Sequence, residues 1–292
     1  MFEQSDVRTK DFRAFINENK NVGPIDLTYG AYADAPGINY SNLKTIDLSA
    51  SKFLWEKNNP RPKSAAMEIG SAIHAAVLEP EVFAETYISR PKFDRRTKAG
   101  KEASELFEKE NENKICLDAS DLAVVNHVAD RVRNCRNYGD FFNAGQKEKS
   151  FFSTDEILFI QKKCRIDNYI PGNFIVDLKT TDCASKEVFE RDIYKYGYHI
   201  QAAYYVDIIR ELTGKELCFV IVAVEKSKDC DMNAFMIGSD ALKAGREKYR
   251  AWLQTYAACL KNDSWPGYPR HVNIFSLPAW ANNKSNKDDG GF

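Results

Sequence analysis

Over the first 37 residues the apolar positions keep no sustained period, and Gly23-Pro24 and Pro36-Gly37 break the stretch. It reads as an irregular N-terminal arm with room for one short helix. Periodic structure begins at Ile38. Residues 40–44 and 49–55 predict two short helices with Ser and Asp caps. From 64 to 85 the apolar residues Met67, Ile69, Ile73, Ala76 and Val77 recur at helical spacing, which predicts a buried helix. Gly70 inside it costs about 1 kcal/mol relative to Ala, and close approach of another backbone is one reason to keep it. His74 lies one turn later on the same face, where taken alone it reads as a core histidine. Residues 102–113 are acidic and helical. Residues 119–139 predict an amphipathic helix with Ser120 as N-cap and Gly139 at its end.

The period then changes to two. Residues 147–154, 157–166 and 174–180 predict three strands joined in antiparallel fashion. A helical pattern runs from 185 to 212 through Phe189, Ile193, Tyr196, Ile200, Tyr204 and Ile208, with Gly214 as terminator. Residues 217–224, LCFVIVAV, read as a strand buried on both faces. Residues 231–237 predict an edge strand and 239–260 a long amphipathic helix. The fold class is therefore α/β, an α+β arrangement with a central mixed sheet flanked by helices. It forms one domain over 38–280, followed by a mobile tail at 281–292.

The chemistry concentrates in residues 162–182, KKCRIDNYIPGNFIVDLKTTD. The Pro171-Gly172 turn makes this a hairpin. Asp167 closes its first strand. Asp177 and Lys179, two apart on the second, point to the same side, and the hairpin can fold Asp167 back beside them. Two carboxylates and one ammonium on one patch call for compensation. Mg²⁺, held by one or two carboxylates with water and phosphate completing its shell, supplies it. Lys179 would then face the attacking water or the scissile phosphate. The alternative is a solvent-exposed strand carrying an Asp–Lys pair.

Composition narrows the setting. The 292 residues are 43% hydrophobic, 12% aromatic and 28% charged, an ordinary globular balance. The formal net charge is −1, so a nucleic-acid partner is not announced globally and any basic surface is local. Residues 90–101, RPKFDRRTKAGK, carry six cations against Asp94. They read either as a solvated loop or as a phosphate-gripping segment built on Arg95, Arg96, Lys98 and Lys101. No apolar run approaches the ~18–20 residues of a membrane span, and the polar N-terminus has no signal-peptide pattern. The seven cysteines are scattered without a C-x-x-C pair, which predicts reduced thiols in a cytoplasmic protein and excludes a recognisable zinc or iron–sulfur motif. The absence of a P-loop sequence speaks against ATP-driven movement.

Five motifs line up in order: GSAIHAAVLEP, KFDRRTKAGK, KCRIDNYIP, IVDLKTT and YHIQAAYY. The series G-x-x-x-H, D, (D/E)-x-K and Q-x-x-x-Y resembles the RecB-like group of the PD-(D/E)xK nuclease superfamily. The local wording is most similar to the C-terminal nuclease domain of exonuclease VIII, the RecE family, over about Ile38 to Trp280. The resemblance implies a restriction-endonuclease-like core with Asp167 and Asp177 as Mg²⁺ ligands, Mn²⁺ being a possible substitute. It also implies the Leu178 carbonyl as a further ligand, His74 near the metal, and Lys179 positioning or deprotonating water. Gln201 and Tyr205, one turn apart, would contact phosphate or strand. Thr180 and the basic segment would touch DNA, and Glu148 reads as a surface carboxylate or an outlying acid of the site. The variable acid is Asp177 where many relatives carry Glu, which shifts the metal slightly.

The activity so implied is a 5′→3′ exonuclease on ends of linear double-stranded DNA that leaves 3′ tails for recombination. It acts as a homo-oligomeric, tetrameric ring with a RecT-like single-strand annealing partner, in the cytoplasm of a bacterial or phage-infected cell and without membrane attachment. The rival readings are another RecB-like nuclease, of 3′→5′, single-strand or endonuclease activity, and a catalytically inactive DNA-binding module.

Overall fold

The computed structural model describes residues 21–277. Residues 1–20 of the expected arm, and all of the expected tail at 281–292, lie outside them. A six-stranded mixed sheet runs in the order β1-β4-β5-β6-β7-β8. Its strands are β1 (Val22–Asp26), β4 (Gln146–Asp155), β5 (Ile160–Ile170), β6 (Phe174–Thr181), β7 (Cys218–Glu225) and β8 (Met232–Met236). The pairs β4–β5 and β5–β6 are antiparallel, β6–β7 is parallel and β7–β8 is antiparallel. Parallel pairing needs a crossover. Here α9 (Lys186–Tyr196) and α10 (Tyr198–Thr213) supply it.

Two apolar layers cover the sheet. One holds α10, α11 (Ser239–Asn262) and the short helices α2 (Tyr40–Leu43) and α3 (Ala50–Asn58), packed on Phe151, Ile166, Ile175, Phe219 and Ile221. The other holds α4 (Ala65–Leu78), α7 (Ala119–Arg133) and α8 (Asp140–Asn143), packed on Val176, Leu178, Val220, Val222 and Val224. The alternation along β6 and β7 feeds both layers, which is why β7 is apolar on both faces. Each fully buried Ile or Val of this kind contributes about 1.5–3 kcal/mol.

Several elements differ from the sequence expectation. Residues Val22–Asp26, expected to be irregular, pair antiparallel with β4, and α1 (Tyr29–Asp34), the one short helix the arm had room for, follows. The single helix expected over 64–85 is two, because Pro80 restarts it as α5 (Pro80–Thr86). β2 (Tyr87–Arg90) and β3 (Ile115–Asp118) form a small parallel sheet that periodicity did not reveal. The last third of the basic loop is helix, since α6 (Lys98–Glu110) starts at Lys98 with Thr97 capping it. Finally, the pattern from 185 to 212 breaks at Gly197, whose φ of +71° is left-handed.

Candidate active site

The register sets three acids in one row across three strands. Lys147 pairs with Asn168 and Asn168 with Val176, which brings Glu148 opposite Asp167 and Asp167 opposite Asp177. Neither of these two rungs is among the regular pairs. Glu148 has a left-handed φ of +52°, and the β5–β6 ladder stops at Asn168↔Val176. In place of the next rung, Asp167 Oδ2 accepts the Leu178 N–H at 2.8 Å. A residue's N–H and C=O leave the same edge of an extended strand, so the Leu178 carbonyl also faces this gap.

Groups from both helical layers reach the gap. His74 on α4 places Nδ1 3.4 Å from Asp167 Oδ2. Gln201 on α10 donates from Nε2 to Asp177 Oδ1 at 3.1 Å. Lys179 Nζ forms an ion pair with Asp177 Oδ2. The same ammonium lies 5.0 Å from the centre of the Tyr198 ring. Arg165, on β5, is shared between Glu148 and Glu79, at 3.2 Å from Glu79 Oε2.

Four carboxylates, Glu79, Glu148, Asp167 and Asp177, thus face two fixed cations, Arg165 and Lys179. The excess of negative charge is legible in the acids. Burial and the neighbouring Asp167 push Glu148 up to about 8 despite Arg165. Burial raises Asp177 as well, against the pull of Lys179. Burial would lower Lys179, but Asp177 and Asp167 outweigh it and hold the ammonium above its usual range. With all four acids ionised, the site lacks about the positive charge of one divalent cation. One ligand atom each from His74, Glu148 and Asp167 lies within 4.8 Å of the others, a donor set suited to a hard ion. Asp177 stands beside this group, turned to Lys179 and Gln201 rather than into it.

The structure therefore brings together His74, Asp167, Asp177, Leu178, Lys179 and Gln201. Tyr205 stands one turn beyond Gln201, its ring edge-on to Phe219 at 6.2 Å and tilted on Tyr204 at 6.3 Å. Burial keeps its phenol firmly protonated. Thr180 lies under α4, where a Cβ on Gly70 would come 3.4 Å from Thr180 Oγ1. The close approach that explains Gly70 is thus to a side chain rather than to a backbone. Three cations of the basic segment are paired: Arg95 with Glu108, Arg96 with Asp94 and Lys98 with Glu102. These three and the exposed Lys101 have no contact with the acids among the described residues. Of the two readings of Glu148, surface carboxylate or outlying acid of the site, the geometry favours the second, and Arg165, Glu79 and Tyr198 join the site. The only advance signal for Glu148 was its position at the head of a strand facing KCRID. A groove of about 530 Å³ lined by Pro36, Phe159, Tyr256 and Leu260 touches none of these groups.

A family model described as "PDDEXK-like domain of unknown function (DUF3799)" matches residues 39–278. The chain belongs to this PDDEXK-like family. No match was found among curated proteins. Among solved structures, a "putative exonuclease" from Eubacterium rectale is similar in fold, with a TM-score of 0.59 at 19% identity, over 90% of this chain and 99% of that one. Family and fold support a nuclease. Divalent metals are the rule for PDDEXK nucleases, and the acid cluster has the composition to hold one. Among the described residues no helix is long and apolar enough to cross a membrane.

Proposed function

We propose that this chain is a Mg²⁺-dependent exodeoxyribonuclease that degrades linear double-stranded DNA from 5′ ends and leaves 3′ tails for recombination by strand annealing. The observation that supports it most is the meeting of Asp167, Asp177 and Lys179 in a gap of the sheet that carries an excess of negative charge. A divalent ion bound there would neutralise charge on the phosphate and make a bound water acidic. His74, Glu148 and Asp167 would hold it, with the Leu178 carbonyl and Asp177 adjoining. Lys179, kept protonated by two carboxylates, would orient the attacking water and offset phosphate charge rather than remove a proton. Gln201 fixes the Asp177 carboxylate and so the direction of Lys179.

The 5′→3′ polarity, the tetrameric ring, the RecT-like annealing partner and the cytoplasmic setting rest on the RecE resemblance. In a ring, each subunit would need only local basic surface, which suits a net charge of −1.

The test is digestion of a linear duplex labelled at either end, with Mg²⁺, Mn²⁺ or EDTA, by the wild type and by Asp177→Ala. Early release of the 5′ label, lost in EDTA and in the variant, is expected. Early 3′ release would keep the nuclease and discard the polarity. No cleavage under any metal would replace the enzyme with a DNA-binding module.

A further inference from the structure

The elbow between α9 and α10 carries two exposed rings, Tyr194 and Tyr196, that none of the preceding roles uses. Tyr194 is 80% exposed and Tyr196 42% exposed. Tyr194 lies parallel to the His199 ring, with an interplanar angle of 5° and centroids 5.8 Å apart, and its high exposure leaves its outer face to solvent. Tyr196 packs on Tyr198 at 5.7 Å, and Tyr198 in turn faces the Lys179 ammonium at 5.0 Å. A row of rings therefore runs from the catalytic lysine outward to the surface.

Large aromatic side chains are usually covered. Here two are displayed at one elbow, Tyr196 continuous with the site through Tyr198 and Tyr194 stacked on His199. The elbow that displays them is pinned. The Tyr40 hydroxyl donates to the Gly197 carbonyl at 2.7 Å, and Lys44 Nζ donates to the Tyr196 carbonyl at 2.5 Å. A positive charge accompanies the rings, with Lys195 Nζ 5.0 Å from the Tyr196 centre. Rigid exposed rings with an adjacent ammonium are the components of a single-strand platform, because every base offers a face for stacking and every nucleotide a phosphate for the cation.

We propose that Tyr194 and Tyr196 form a stacking platform for unpaired bases of the DNA strand entering the active site. The ligand class is single-stranded or frayed nucleotides next to the phosphate to be cut. The proposal rests on the nuclease reading and adds to it a preference for ends that already carry unpaired bases. Tyr198 is a positioning residue in this arrangement, linking the platform to Lys179.

The test uses the full chain with Ca²⁺ in place of Mg²⁺, so that DNA binds under conditions chosen to suppress cleavage. The probes are a blunt duplex and the same duplex with a short single-stranded tail carrying 2-aminopurine. Binding is followed by anisotropy and stacking by quenching of the 2-aminopurine. The variants are Tyr194→Leu/Tyr196→Leu and the ring-preserving Tyr194→Phe/Tyr196→Phe. Wild type and the Phe pair are expected to prefer the tailed duplex by at least about fivefold, with quenching, since each stacked base adds affinity. The Leu pair is expected to lose both the preference and the quenching while binding blunt duplex as before. Retention of the preference by the Leu pair, or an equal loss of blunt and tailed binding, would overturn the platform. Cleavage of the blunt duplex by wild type in Mg²⁺ is scored separately. Its absence would sink the nuclease reading and leave ring-dependent binding standing. No binding of either DNA by wild type would overturn the platform.

Discussion

The Leu178 N–H donates to Asp167 Oδ2 at 2.8 Å, so a side chain stands where the next rung of the β5–β6 ladder would be. Asp167 thus has a structural duty to the backbone and an electrostatic one to the site, and the two are separable. Asp167→Asn keeps an oxygen for the Leu178 N–H and removes a charge from a crowded cluster. Its metal-free stability is expected to equal or exceed that of the wild type. Asp167→Ala leaves a shielded N–H without a partner and is expected to be less stable than the Asn variant by about 1–3 kcal/mol. Both variants should lose at least about a hundredfold in cleavage rate, a barrier increase of roughly 2.7 kcal/mol. Denaturant unfolding in EDTA, read beside nuclease rates, checks both halves, and equal stability of the Ala and Asn variants would contradict the backbone role.

Lys179 is the counter-charge of an acid that is only 3% exposed. Removing one partner of a buried ion pair costs about 3–5 kcal/mol, because the other charge remains. Lys179→Met is expected to show that cost at pH 8. At pH 5 the cost should shrink, because Asp177 is raised by burial even with the lysine present and is raised further without it. The sign follows from linkage. An acid whose folded pKa lies above its unfolded value favours folding below the unfolded value and loses that contribution as pH rises through the folded one. Unfolding of the variant at the two pH values measures this, and a loss independent of pH would show that Asp177 is not the group left uncompensated.

Glu148 gives a second pH dependence, in a window near neutrality. Its carboxyl is pushed up to about 8 by burial and by Asp167, above the ordinary Glu value of about 4.3. In metal-free protein its contribution to stability is therefore complete below about pH 4 and is lost as pH rises towards 8. A divalent ion must displace the proton to use this carboxylate. Mg²⁺ affinity is expected to rise with pH up to about 8 and then level off. Glu148→Gln should bind Mg²⁺ more weakly and lose that rise. Calorimetric Mg²⁺ titrations from pH 6 to 9 test this, and a wild-type slope surviving in Glu148→Gln would assign the proton elsewhere.

The legible parts of this molecule are local. The hairpin announced itself through Pro171-Gly172 between two alternating runs, and the period of two along β6 put Asp177 and Lys179 on one side. The apolar run that became β7 carried its double burial in its composition. What escaped depends on pairings between distant residues. Glu148 meets Asp167 only because Lys147 pairs with Asn168 across β4 and β5, and no pattern within residues 146–155 reports that partner. The positive charge of residues 90–101 was visible, but the pairing of Arg95 with Glu108 and of Lys98 with Glu102 required α6 to begin at Lys98. The break at Gly197 was hidden for another reason. Ile193 on α9 and Ile200 on α10 both pack on the same apolar layer, so the apolar pattern continues across the bend.

That bend supplies the last prediction. Gly197 has φ +71°, and a Cβ there would come 2.7 Å from the Tyr40 hydroxyl, which itself donates to the Gly197 carbonyl. Gly197→Ala therefore incurs two costs, about 1–2 kcal/mol for a left-handed non-glycine residue and a steric cost set by how far Tyr40 can retreat. Tyr40→Phe alone loses one buried hydrogen bond, about 0.5–1.5 kcal/mol. With the hydroxyl gone the steric cost falls, so the double variant should be more stable than the two single effects predict by at least about 0.5 kcal/mol, as expected for residues in contact. A double-mutant cycle by denaturant unfolding measures the coupling. Strict additivity would mean that Gly197 is retained for its backbone conformation alone. Because Gln201 begins one turn after the bend and orients Asp177, Gly197→Ala is also expected to slow cleavage, and the Tyr40→Phe change should restore part of that rate along with the stability.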